Sequence, residues 1–444
     1  METTKKQNGS IIAIVTMMFL FAMIAFVTNL AAPIGVIWKN QPALQGSNFL
    51  GMMGNMMNFL AYLFMGIPSG KMLSKIGYKK TALVAIAVGF VGVFVQFLSG
   101  IVGVGAEIAG LPANFYVYLL GAFIAGFSVC MLNTVVNPML NLLGGGGNKG
   151  NQLIQIGGSL NSLAGTLTPM FVGALIGTVS KDTAITDVNP VLYIAMAVFA
   201  VAFIILSMLP IQDPDAEKNA GKTIVYEKSP WAFRHFVLGT VAIFVYVGVE
   251  VGIPGTLNFF LSDVTDKGGG LDPATAATIG GFVAGTYWFL MLIGRFCGSF
   301  LGSKISSKVM LSTVSAVAII LILIAMFSPK VITASMPVFT GSSFAMTQVP
   351  LSAVLLVLCG LCTSVMWGSI FNLAVEGLGK YTAAASGIFM MMVVGGGILP
   401  LIQNKIADGT TFMISYIVPL IGLAFILYYA LIGSKNVNKD IPVE

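Results

Sequence analysis

Apolar stretches follow one another along almost the whole chain, separated by short breaks that are polar or rich in glycine. A helix of ~20 apolar residues crosses a ~30 Å hydrocarbon core. The runs are continuous and do not alternate with a period of two, which excludes a transmembrane barrel. Twelve spans are predicted, at 11–37, 48–73, 81–102, 113–142, 152–178, 190–210, 235–261, 274–302, 309–328, 350–375, 382–405 and 411–433. The first run lacks a small-residue cleavage site behind it and is read as a retained helix, not a signal peptide.

Composition agrees with this pattern. Of the 444 residues 57% are apolar and only 9% charged, with mean hydropathy +0.94, too little charge to cover a soluble protein of this size. Basic residues set the orientation. With a cytoplasmic N-terminus, the two tails and the even-numbered loops hold 17 of the 22 Lys and Arg, Arg295 counted among them. Lys39, Lys181, Lys267, Lys330 and Lys405 fall outside. Both termini are therefore expected in the cytoplasm. The net charge of +6 is this asymmetry and gives no reason to expect nucleic-acid binding.

The longest polar stretch, IQDPDAEKNAGKTIVYEKSPW at 211–231, divides the chain into a first half at 1–210, a cytoplasmic linker at 211–234 and a second half at 235–444. The halves echo each other. TNLAAPIG (28–35) and VEVGIPGT (249–256) place Asn29 and Glu250 one helical turn before a proline, and AGTLTP (164–169) and GGGILP (395–400) do the same with Gly165 and Gly396. GKMLSKIGYKK (70–80) and GRFCGSFLGSKISSK (294–308) are glycine-rich, basic and follow spans two and eight. Parallel repeats of six helices with a site at their interface near mid-membrane describe one transporter architecture, and helices interrupted at Gly or Pro point to that site.

GKMLSKIGYKK resembles the signature G-x-x-x-D-R-x-G-R-K of the major facilitator superfamily, with Gly70, Lys75, Gly77 and Lys79 fitting and Ser74 in place of the acid. NPMLNLLG (137–144), LNSLAG (160–165), VYVGVEV (245–251), YW followed by GRFCG (287–298) and VVGGGILP (393–400) resemble the fucose/glucose/galactose symporter family, most of all its glucose/galactose branch. The resemblance implies an all-α polytopic fold of twelve helices in two pseudo-symmetric six-helix bundles. It also implies alternating access and uptake of a monosaccharide driven by an ion gradient, usually protons. Two positions depart from the fucose members: Ala32 replaces an aspartate in span one, and Asn133 a glutamate in span four.

Among the 16 acidic residues, Glu250 is the one that falls mid-membrane, where a carboxylate costs several kcal/mol unless it faces a cavity, finds a partner or binds a proton. It is expected to line the substrate site and to carry coupling to H⁺ or Na⁺. Sugars require amides and carboxylates for their hydroxyls and aromatic faces for their C–H surface. The spans supply Asn29, Asn133, Asn137, Gln155, Asn161, Asn258 and Asn372 as amides, and Tyr287, Trp288 and Trp367 as aromatics. Interhelical hydrogen bonding is the competing use of every such amide. Trp38 and Trp231 sit at span ends and read as interfacial anchors.

Other motifs carry less. Cys359 and Cys362 form a CxxC without redox or zinc context, and all four cysteines read as packing residues. His235 is the single histidine. GGGGNKGNQ (144–152) lacks the Walker pattern and reads as a cytoplasmic turn, while the 25 methionines read as gap fillers. The chain is thus expected to be no enzyme and to need no cofactor. It is expected to act as a monomer in the bacterial inner membrane, importing a small molecule, a sugar. Export, transport of another solute, uncoupled facilitation and ligand sensing without flux stay open.

Overall fold

The computed structural model describes all residues except 1, 144–146, 178, 180–182, 210–227, 302–304, 340–342, 379–380, 439–440 and 442–444. Most of the predicted linker, 211–234, therefore lies outside the described residues.

The apolar runs fold as long helices. α1 (Glu2–Asn40) is followed by the short α2 (Asn48–Gly51), α3 (Met53–Leu98), α4 (Ala113–Leu143), α5 (Gly147–Ile176) and α6 (Asn189–Met208). The second half contributes α7 (Arg234–Ser262), α8 (Ala276–Leu301), α9 (Ser307–Phe327), α10 (Leu351–Thr363) and α11 (Met366–Val375). It closes with α12 (Thr382–Met391), α13 (Gly395–Gly409), α14 (Phe412–Ser415) and α15 (Ile417–Tyr428). Among the described residues, eleven helical stretches are long and apolar enough to cross a membrane. The protein is a multi-pass membrane protein.

Several elements differ from the predicted ones for identifiable reasons. Spans two and three run together as α3, and the break between them is reduced to Gly77, which adopts φ 80°, ψ 174°, a region open essentially to glycine alone. Span ten is interrupted between α10 and α11 at Ser364 and Val365, and span eleven passes through a 3₁₀ turn at Met392–Val394. α5 starts at Gly147 and takes up part of the expected turn at 144–152. The segment between spans nine and ten is a hairpin of β1 (Thr333–Phe339) and β2 (Phe344–Pro350), paired Thr333 to Pro350 through Phe339 to Phe344. Trp38 is not an interfacial anchor: the last turn of α1 packs against α4, burying the indole with its centroid 5.0 Å from Phe115 and 5.3 Å from Tyr118.

Burial ranks the helices. α7 is 67% buried across its apolar window and α9 28%, so α7 is central while α9 turns its residues Val317, Ile320 and Ile324 outward. Between the halves, α5 packs on α8, α3 on α12 and α13, and α1 on α7. Glycines permit the close crossings. A Cβ on Gly281 would lie 2.5 Å from the Pro169 carbonyl oxygen, and one on Gly397 2.9 Å from that of Met56. On the side of the Gly77 turn, Lys79 donates to the carbonyls of Ser207 (2.9 Å) and Leu209 (2.7 Å). A cation there complements the negative end of the α6 dipole.

Replacing Gly77 with valine forces a β-branched residue into that backbone region. Gly77→Val is expected to cost ~1–3 kcal/mol, seen as earlier thermal unfolding of the purified protein in detergent.

Candidate substrate cavity

A cavity of about 290 Å³ opens where α1, α3, α4 and α5 face α7, α8, α11 and the 3₁₀ turn. Its walls include Thr28, Asn29, Tyr62, Asn133, Asn137 and Asn161 from the first half, and Glu250, Trp288, Arg295, Ser364, Trp367 and Asn372 from the second. The volume is near the lower end of the roughly 300–1,000 Å³ usual for small-molecule sites. From Asn29 and Trp288 at its closed end the cavity extends to Gly298 in the last turn of α8 and to Ser307 and Met310 in the first turn of α9.

The repeat noticed in the sequence shapes this chamber. Asn29 and Glu250, each one turn before a proline, both line it from corresponding helices. Gly165 leaves room for Asn29 and Trp288, whose atoms would stand 3.3 and 3.4 Å from an added Cβ. Gly396 gives the same clearance on the opposite wall, where its Cβ would meet Phe59 and Val247 at 2.8 Å. The helix break at Ser364 and Val365 also opens onto the cavity.

Eight predicted site residues meet here: Asn29, Asn133, Asn137, Asn161, Glu250, Trp288, Trp367 and Asn372. Their bonds hold them in place. Asn29 donates to the Ala25 carbonyl (2.9 Å), Asn133 to the Tyr62 hydroxyl (2.7 Å), Asn137 to the Asn133 carbonyl (3.0 Å) and Asn161 to the Phe21 carbonyl (2.9 Å). Among the described residues none of the four side-chain carbonyls accepts a hydrogen bond. Two others are elsewhere. Asn258 is buried where α7 meets α8 and accepts from Ser262, one turn on in its own helix, at 3.2 Å, and Tyr287 is fully buried with its hydroxyl 2.8 Å from that of Thr363 on α10. Asn258 was expected in the site as an amide within a span and Tyr287 as an aromatic face; the first bonds within α7 and the second bonds across to α10. The side chain of Gln155 lies outside the described residues.

Arg295 requires a correction. Assigned by sequence to a cytoplasmic loop, it stands inside α8, where Nη2 lies 3.3 Å from Glu250 Oε1. Nη1 donates to the Gly158 carbonyl and the Ser162 hydroxyl, both at 2.9 Å. The guanidinium thus neutralises the carboxylate on α7 and ties α8 to α5 across the two halves. Such a pair is costly to assemble in a low-dielectric setting but costly also to break. Arg295 fell within the span 274–302, and its position there was the available signal.

At the opposite end of the molecule the halves are joined by charge. Lys39, in the last turn of α1 and 2% exposed, bridges to Asp263 just beyond α7 (3.3 Å) and donates to Asn48 (2.9 Å). Its ammonium lies 5.1 Å from the Phe259 ring centroid. Asp408 on α13 accepts from Ser47 (2.7 Å) and from the backbone N–H groups of Asn48 (2.7 Å) and Phe49 (2.9 Å), capping α2 from the other half. Gly35 and Gly51 press together there, with 2.3 Å from an added Cβ to the Gly51 oxygen. The cavity is therefore closed on this side. Burial works to raise the pKa of Asp263, but Lys39 and the bonds from Thr265 outweigh it and hold the carboxyl below its ordinary value.

The Major Facilitator Superfamily model matches residues 12–400. The chain belongs to the major facilitator superfamily. Among its relatives is the glucose/galactose transporter of Brucella abortus biovar 1 (strain 9-941), 31% identical over 443 residues and covering 98% of this chain and 97% of that protein. A putative glucose/galactose transporter of Helicobacter pylori (strain ATCC 700392 / 26695) is 32% identical over 396 residues, 85% of this chain and 86% of that one. The L-fucose-proton symporter of Escherichia coli (strain K12) is 22% identical over 405 residues, 86% and 84% of the two chains. The crystal structure of the transporter FucP in the outward conformation superposes with a TM-score of 0.66 at 19% identity, covering 96% of this chain and all of that one. By its family and its relatives the chain is a transporter and not an enzyme.

Two outcomes follow from the charges. Arg295→Gln leaves Glu250 unpaired and is expected to destabilise the protein by roughly 3–5 kcal/mol, with partial recovery in Arg295→Gln/Glu250→Gln, measured by thermal unfolding in detergent. Lys39→Gln is expected to lengthen the distance between spin labels on the exposed Ala43 and Asp266. A carboxyl whose folded pKa is depressed supports closure above its ordinary pKa and loses it as pH falls lower. In the unsubstituted protein that distance should thus grow as pH falls below about 4, where Asp263 takes up a proton.

Proposed function

We propose that the protein is a monosaccharide–proton symporter that imports a hexose such as glucose or galactose across the bacterial inner membrane. The observation that carries this reading is the wall of the cavity. Among the described residues it is neutral in sum, with one carboxylate facing one guanidinium, and it sets amides, hydroxyls and the indoles of Trp288 and Trp367 among apolar side chains such as Phe21, Ile24, Phe59 and Val393. An uncharged polyol fits such a surface: the amides bond vicinal hydroxyls and an indole covers the C–H face of the ring. The names of the relatives from Brucella abortus and Helicobacter pylori support the same substrate class.

With both termini cytoplasmic, the end of the cavity at the α8–α9 loop faces the cytoplasm and the Lys39–Asp263 closure faces outside. The structure then represents an inward-facing state. In this reading the halves 1–210 and 235–444 rock as two bodies joined by the linker 211–234, and the protein works as a monomer.

Coupling falls to Glu250. The positions at which fucose members carry acids are Ala32 and Asn133, neither of which titrates. Arg295 already occupies the space beside the carboxylate in which a sodium ion would sit, which favours a proton as the coupled ion. Proton binding removes the charge on Glu250 and loosens its hold on Arg295, whose remaining bonds to Gly158 and Ser162 reach the other half. Proton occupancy thereby alters the attachment between the halves, as a coupled cycle requires.

In proteoliposomes, labelled glucose or galactose is expected to accumulate under an imposed proton gradient and not under a sodium gradient alone. Glu250→Gln should equilibrate sugar without concentrating it. Uphill uptake by that variant would remove Glu250 as the coupling group, and absence of flux for every hexose would remove the substrate class.

A further inference from the structure

Among the described residues three phenols lie around Glu250, and two have a hydrogen-bond partner. Tyr62, across the cavity on α3, receives the Asn133 amide at 2.7 Å, and Tyr287 on α8 bonds Thr363 at 2.8 Å. The third, Tyr246, is on α7 itself, one turn before Glu250, so both side chains leave the same helix face. It is fully buried, its ring set edge-on against Trp367 at 6.2 Å between centroids. Its hydroxyl lies beside both members of the ion pair but is not set at full hydrogen-bond geometry to either of them. A buried hydroxyl left unpaired is destabilising and rare in native interiors. A hydroxyl so placed, short of a full bond, is ready to complete one with a carboxyl that changes protonation state.

We propose that Tyr246 is the second partner of Glu250, a positioning residue that receives the protonated carboxyl when it leaves Arg295. The inference rests on the symport reading above. Ionised, Glu250 stays on the guanidinium. Protonated, it turns to Tyr246, its new O–H donating to the phenol oxygen, while Arg295 stays on the Gly158 carbonyl and Ser162. One proton is gained from the aqueous phase and later returned to it, and no other bond changes. The phenol thus compensates the neutral carboxyl for the ion pair it gives up.

The charged and titratable groups facing Glu250 limit the alternatives. Arg295 and Tyr287 face it from α8 and Tyr62 from α3, while the described cavity residues of α1, α4, α5 and α11 are uncharged. A hydrogen bond to the neutral carboxyl raises its proton affinity, so its loss lowers the pH at which Glu250 protonates.

The test is Tyr246→Phe in proteoliposomes, with proton-driven uptake followed against pH and sugar binding measured at alkaline pH, where Glu250 is paired with Arg295. The expected result is an acid shift of the midpoint for uptake by about one pH unit and about a tenfold fall in kcat at neutral pH. Alkaline binding should be unchanged. In a Glu250→Gln background the same substitution should leave sugar exchange unaltered, because the group it serves is gone. An unmoved midpoint, an alkaline shift, or equal weakening of binding at all pH values overturns the proposal and leaves Tyr246 as packing. Should the phenylalanine variant fail to reach the membrane, a ring-fluorinated tyrosine at 246 keeps the shape and weakens the phenol as an acceptor. It should move the midpoint in the acid direction by less, and no movement overturns the proposal. Loss of accumulation in Glu250→Gln with no effect of Tyr246→Phe defeats this inference alone, whereas uphill uptake by Glu250→Gln defeats the symport reading beneath it.

Discussion

A carboxylate at the centre of a bilayer needs a counter-charge or a proton, and much of this structure follows from how Glu250 obtains the first. Arg295 comes from the next helix along the chain and is itself fixed by Gly158 and Ser162 of the opposite half. One guanidinium therefore neutralises the acid and spans the seam along which the halves meet. The arrangement requires α5 and α8 to lie close, and Gly285, whose Cβ would be 2.6 Å from the Thr166 carbonyl oxygen, allows that. The glycine-lined crossing, the ion pair and the neutral cavity are parts of one solution.

The two ends of the molecule are held by different means. Charge joins the halves on the Lys39 side, where a lysine 2% exposed and two aspartates on the other half bind α1 and α2. At the cavity the link is the shared partner set of Arg295. A buried pair contributes little net stability but discriminates strongly against arrangements that leave one member alone. The Lys39–Asp263 pair thus favours one closed geometry over partly opened ones. Asp263, held below its ordinary value, stays ionised as pH falls through the physiological range, so acidification there does not remove this carboxylate from the closure.

The helices were legible because continuous apolar runs leave few alternatives, and the bounds of α7 differ from the predicted 235–261 by one residue at each end. The pairing of Asn29 with Glu250 was legible because the duplication puts each one turn before a proline, and both face the cavity. What escaped was what depends on contacts remote in sequence. Arg295 looked like one more basic residue near a loop, since nothing local says that the α8 turn bearing it faces Glu250. Asn258 looked like Asn29, and only the packing of α8, with Gly280 against it, buries it away from the cavity. Trp38 looked like an anchor because its burial by Phe115 and Tyr118 is decided by α4. A span advertises its polarity; the direction in which each polar residue points is set by its neighbours.

The central claim is that the Glu250 carboxyl faces the compartment in which sugar binds and is reached from the cytoplasmic side in this state. The most direct measurement places a cysteine there, Glu250→Cys with the four native cysteines replaced, and follows its reaction with a membrane-impermeant thiol reagent in vesicles of known orientation. The account predicts modification from the cytoplasmic side that glucose or galactose slows in proportion to occupancy. A cysteine at 250 that is unreactive from both sides, or modified at a rate no sugar changes, would contradict it.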